Sequence, residues 1–133
     1  MEKKLDEIVR SRAKNRCEYC LAPQSAYKLK FHIEHVIARK HGGRTETSNL
    51  ALACGRCNFS KGPNLSGIDP HTQELTRLYN PRMDDWTTHF RYDGPVSVGL
   101  TAIGRCTVEV LSMNNPYQMA ARQALIDEGT FIR

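Results

Sequence analysis

The chain has 133 residues, 40% of them hydrophobic and 25% charged, which excludes a disordered chain and allows one compact domain or a small module with an appended layer. No apolar stretch nears the roughly 20 residues of a membrane span, and Met1 to Glu7 lacks the apolar run and cleavage site of a secretory signal, so a cytoplasmic protein without a membrane partner is expected. The net charge of +5 is one-sided: residues 1–62 carry thirteen Lys and Arg against six Asp and Glu, a net +7, and residues 63–133 carry six against eight, a net −2.

Leu5, Ile8, Val9 and Ala13 recur at helical spacing and predict a short amphipathic helix over about Leu5 to Lys14. It leads into the knuckle Cys17-Glu18-Tyr19-Cys20. Leu29, Phe31 and Ile33 alternate with polar residues over Lys28 to Glu34, which predicts a strand with one buried face. A loop follows through His41-Gly42-Gly43-Arg44, where glycine permits backbone angles that other residues avoid. Leu50 to Ala53 is a second short apolar segment, and Gly55 to Lys61 predicts a helix stopped by Gly62-Pro63. Pro63 to Asp69 is rich in turn residues and reads as a linker.

Past that linker, Phe90-Arg91-Tyr92 and Val96-Ser97-Val98 flank Asp93-Gly94-Pro95 and predict a hairpin. Thr101 caps a helix that buries Ile103, Val110 and Leu111, and Asn115-Pro116 opens a last helix closed by Gly129. This half reads as scaffold. The expected organisation is an N-terminal helix over residues 1–16, a module over 17–62 and a helical and hairpin extension over 63–133.

Four of the five cysteines form two Cys-x-x-Cys pairs, Cys17/Cys20 and Cys54/Cys57, separated by 33 residues. Two residues between ligands let one tight turn aim both sulfurs at one ion, and two such turns complete a tetrahedral structural Zn²⁺ site. Zinc would stand in for a core that about 45 residues can hardly build from apolar side chains. The competing readings are a redox pair or disulfides. In a cytoplasmic protein thiols stay reduced and are free to hold metal. Cys106, on a predicted helix, reads as a small buried hydrophobe.

Between the pairs run Phe31-His32-Ile33-Glu34-His35, then Gly42-Gly43, then Asn49-Leu50, and the second pair continues as Cys54-Gly55-Arg56-Cys57-Asn58-Phe59-Ser60-Lys61. Over about residues 13 to 63 this ordered set resembles the HNH endonucleases. The resemblance implies an α+β protein: a zinc-stapled ββα-metal (His-Me finger) module with a small C-terminal extension. It implies DNA cleavage that leaves a 5′-phosphate and a 3′-hydroxyl. His35 matches the general base, a role that imidazole suits because its ordinary pKa lies near neutrality. Glu34 and Asn58 match the ligands of the catalytic cation, and Asn49 matches the residue that tethers the loop and orients the base. Glu34 is one methylene longer than the usual Asp, and Asn58 stands where His is common, giving an H-N-N variant. An oxygen set favours Mg²⁺ or Mn²⁺ at the catalytic position.

His32 lies two residues before Glu34, on the same strand face, and is a candidate for the cation or for phosphate, with a structural role as the alternative. Arg39, Lys40, Arg44, Arg56 and Lys61 surround the motif and are the candidate phosphate contacts, in keeping with the basic half of the chain. The first rival is a non-catalytic four-cysteine zinc module that binds nucleic acid; the second is a structural zinc domain, which the +7 of residues 1–62 disfavours. RNA stays open as a substrate, as does the oligomeric state.

Overall fold

A computed structural model describes residues 2–131 of the chain. It divides into two compact units, one formed by residues 1–63 together with Asn80–Met83, the other by Asn64–Tyr79 and residues 84–133. No helix among the described residues is long and apolar enough to cross a membrane.

The first unit opens with helix α1, Lys3–Arg12, which buries Val9 and carries an Arg10–Asp6 pair at 2.7 Å, one turn apart. Arg12 ties this helix to residues 47–50, donating to the carbonyls of Thr47 (2.9 Å) and Leu50 (2.7 Å). Strand β1, His32–His35, pairs antiparallel with β2, Leu50–Ala53, in the register His32 to Ala53, Glu34 to Ala51 and His35 to Leu50. All four β2 residues are fully buried. Helix α2, Gly55–Lys61, comes directly after, capped by the Cys54 sulfur, which accepts from the Cys57 N–H. The result is a ββα unit, with a mixed α and β architecture as the motif order implies.

Two expectations fail here. The predicted strand from Lys28 is shorter, and Leu29 is 84% exposed while Phe31 and Glu34 are buried. Phe31 is buried as the alternation predicts and Ile33 is half-buried, but Leu29 is not, because the segment before His32 is tied by Gln24, which donates to the Leu29 carbonyl and accepts from the Phe31 N–H. Residues 63–69 are not a plain linker either, since β3, Ser66–Ile68, pairs antiparallel with β4, Leu75–Arg77.

The segment Asn80–Met83 belongs to the first unit. Arg82 forms an ion pair with Glu18 of the knuckle, whose other oxygen accepts from the Leu52 N–H at 2.9 Å.

In the second unit, helix α3, Trp86–His89, runs into a hairpin of β5, Phe90–Asp93, and β6, Val96–Gly99. Helix α4, Ala102–Val110, is capped by Thr101, whose hydroxyl accepts from the Gly104 N–H; α5, Pro116–Asp127, is capped by Asn115 in the same way. Within α4 the buried residues are Gly104, Cys106 and Thr107, followed by Leu111, while Ile103 and Val110 are half-buried. Trp86 packs on Phe90 and Tyr92, and Arg122 lies 4.9 Å over the Tyr92 ring, so Trp86 and Tyr92 serve packing.

Asp69 is buried and receives a forked pair of hydrogen bonds from Arg105 (3.0 and 2.8 Å), with further donors from the His71 N–H and the Thr72 hydroxyl. The Arg105 bonds foremost hold its carboxyl well below the ordinary value of 3.8. A depressed folded pKa contributes stability that is full above the unfolded value and lost as pH falls through the folded one. Asp69→Asn is therefore expected to destabilise the second unit at pH 6, with the gap to wild type closing as pH drops below about 4. Trp86 is the only tryptophan and lies in this unit, so its fluorescence during urea unfolding at each pH reads the effect. A gap that stays constant down to pH 3 would exclude the ion pair as its source.

Candidate functional site

The thiols of Cys17, Cys20, Cys54 and Cys57 are all buried and lie within 4.8 Å of one another; among the described residues they are the one cluster of at least three His, Cys, Asp or Glu groups able to hold a metal. Cys20 and Cys54 Sγ are 3.7 Å apart. A tetrahedron of Zn–S bonds of about 2.3 Å has an edge of about 3.8 Å, so the donor set fits zinc. In each knuckle the last N–H points back to the first sulfur, Cys20 to Cys17 and Cys57 to Cys54, both at 3.5 Å. Burial pushes the Cys17 thiol up and contact with Cys17 pushes Cys57 up, while Cys54, which accepts from Cys17, Cys20 and Cys57, is pulled far down. Four close thiols thus compete for negative charge, and a dication relieves the competition by accepting all of them as thiolates.

A shallow cleft of about 330 Å³ lies on the same unit, lined by Ile33, Glu34, His35, Ala38, Arg39, Asn58, Gly62 and Pro63. β1 supplies Glu34 and His35, and α2 supplies Asn58, so the two halves of the motif border one cleft. His35 is half-buried, with Nε2 2.7 Å from the Thr45 hydroxyl. Burial first, then the Arg39 charge, hold its imidazole below the ordinary value. It is therefore neutral, and able to accept a proton, at neutral pH.

Glu34 points inward and is only 6% exposed. One oxygen accepts from the Tyr19 hydroxyl, and the other faces Lys61 Nζ at 3.5 Å. Burial pushes the Glu34 carboxyl up and Lys61 opposes it, while burial and the Glu34 charge keep Tyr19 a phenol donor. Glu34 and Asn58 both line the cleft, and their oxygens are of the kind that hard cations take.

Asn49 bridges the loop. Its Oδ1 accepts from the Ile37 N–H at 2.9 Å, and its Nδ2 donates to the carbonyls of Ile37 (3.0 Å) and Arg44 (2.9 Å). The glycine pair serves the same loop: Gly42 takes φ +88°, and a side chain at Gly43 would sit 1.7 Å from the Ile37 carbonyl oxygen. Asn49→Ala would leave the Ile37 amide and two carbonyls without their partner, and is expected to cost about 1–3 kcal/mol. Denaturant unfolding followed by hydrogen exchange over residues 37–49 measures this; a loss under about 0.5 kcal/mol (the size of an ordinary surface substitution) would refute it.

Two phosphate and metal candidates fall elsewhere. Lys61 is 1% exposed, with Nζ donating to the Val36 carbonyl at 2.9 Å, so it is not available to phosphate. The reason is helical spacing: Lys61 lies one turn after Cys57 and shares its inward face, a signal present in the sequence. His32 is exposed and does not line the cleft. Arg39, Lys40, Arg44 and Arg56 are exposed, and Arg39 lines the cleft itself. Tyr19 and Thr45 are contacts that spacing did not announce, although Tyr19 sits between Cys17 and Cys20.

Residues 17–64 match the family described as HNH endonuclease, and the same segment holds the four cysteines able to bind a metal. Comparison with curated proteins and with solved structures gives no match.

Proposed function

We propose that this protein is a divalent-cation-dependent endonuclease that hydrolyses phosphodiester bonds in DNA, with His35 as the general base. The observation that carries the reading is the one cleft lined by Glu34, His35, Asn58 and Arg39, within the segment that matches the HNH endonucleases.

In this reading His35 Nε2–H donates to the Thr45 hydroxyl, which leaves Nδ1 to take a proton from water. The new bond forms between the water oxygen and phosphorus as the phosphorus–O3′ bond breaks; O3′ takes a proton from solvent water, giving a 5′-phosphate and a 3′-hydroxyl. Mg²⁺ or Mn²⁺, held by Glu34 and Asn58, would supply Lewis-acid stabilisation of the phosphate and leaving oxygen. Asn49 keeps the loop that carries Thr45 closed against Ile37. Arg39, Lys40, Arg44 and Arg56 form a basic surface that positions the backbone without reading sequence. Reduced thiols suit a reducing compartment such as the cytoplasm.

Supercoiled plasmid incubated with zinc-loaded protein tests this. Nicked or linear DNA is expected with Mg²⁺ or Mn²⁺ and none with excess chelator. Folded protein that retards plasmid but cuts neither plasmid, branched DNA nor RNA would move the function to nucleic-acid binding alone.

A further inference from the structure

Lys61 does not line the cleft but lies buried against Glu34, which does. A lysine is almost never fully buried unless paired, yet its ammonium sits on the Val36 carbonyl and opposite Glu34, reaching from the end of α2 to the residues on both sides of His35. Tyr19 occupies the other oxygen of the same carboxylate. Each carboxylate oxygen accepts at two positions, so Glu34 retains capacity toward a cation. What it lacks is uncompensated charge: Lys61 cancels it, Asn58 is neutral, and Arg39 adds a positive charge to the lining. A small dication, costly to dehydrate, finds no net negative site there.

We propose that Lys61 is a counter-ion that keeps Glu34 from holding a divalent cation by itself, so that the cation enters the cleft together with the DNA phosphate. The inference rests on the nuclease reading and adds an order of assembly to it. The phosphate supplies the missing negative charge and further oxygens, and Arg39 at the rim helps to draw it in. By linkage, the factor by which DNA tightens cation binding is the factor by which the cation tightens DNA binding.

The test uses full-length, zinc-loaded His35→Ala protein, so that DNA stays intact, with Mn²⁺ as the probe followed by paramagnetic resonance of the free ion. Mn²⁺ affinity, corrected for binding to DNA alone, is expected to rise at least about tenfold when a duplex is present, and duplex affinity to rise equally with Mn²⁺. Lys61→Gln keeps a donor for Val36 and removes the charge. It is expected to bind Mn²⁺ more tightly without DNA and to lose most of the coupling, while Lys61→Arg keeps it. Equal Mn²⁺ affinity with and without DNA overturns the proposal, and that arm needs no Lys61 variant to fold. A Lys61→Gln protein with retained zinc and unchanged coupling overturns it too. If wild type cuts plasmid and coupling is absent, only this inference falls. If wild type cuts nothing and DNA recruits no Mn²⁺, the nuclease reading falls with it.

Discussion

Plasmid nicking by His35→Ala is expected to drop about 100- to 10,000-fold relative to wild type, the range over which a positioned proton acceptor accelerates such a step. The size comes from what the cleft offers in its place. Glu34 is occupied by Tyr19 and Lys61, and Asn58 is an amide with no basicity near neutral pH, so no other lining group takes the water's proton. The substitution removes the contact with Thr45, which lies in the loop that Asn49 already closes, so the fold is expected to persist. Zinc content and duplex binding, measured beside the rate, separate lost chemistry from lost structure. Cleavage within about tenfold of wild type, in protein shown free of contaminating nuclease, would take the base role away from His35.

The second large effect concerns stability. Structural zinc in small modules contributes on the order of 10–16 kcal/mol, against a total of about 5–15 kcal/mol for a typical domain. The first unit therefore has little margin without it, since much of its interior is the thiol cluster itself together with Tyr19 and the short β2. Cys57→Ser, or a strong chelator, is expected to unfold residues 17–64. Backbone hydrogen exchange over that segment would rise toward the unprotected rate. Cys57 also lies in the helix that carries Asn58 and Lys61, so the cleft would go with the metal. Trp86 lies in the second unit, and its emission shows separately whether the loss spreads. Retained protection at the β1 and β2 amides after zinc removal would show that the apolar residues suffice.

The grouping of the candidate residues was easier to read from sequence than the packing. Cys-x-x-Cys pairs, Glu34-His35 and the Cys-x-x-Cys-Asn run are local patterns, and local geometry needs only a few bonds to fix it. Asn49 was legible for its spacing but not for its three specific bonds across the loop. Lys61 was misread because a lysine in the last helical turn ordinarily meets solvent and complements the helix dipole. Its inward face is decided by Cys57, four residues earlier. The β3 and β4 pair was hidden because three-residue strands are too short to show a period of two, and Gly-Pro and Asp-Pro turns dominate that stretch. Leu29 shows the opposite error, an apolar residue at a strand-like spacing that ends in solvent.

The return of Asn80–Met83 to the first unit bears on how such a module can be moved between proteins. A fragment ended at Pro63, or a graft bounded by the matched residues 17–64, would carry all four clustered thiols and every cleft residue. It would leave Glu18 without the guanidinium of Arg82, at a mostly buried carboxylate that also holds the Leu52 amide of β2. The first unit is therefore not a self-contained cassette in sequence, and a recombinant chimera that keeps this ion pair must bring the chain back to donate one arginine.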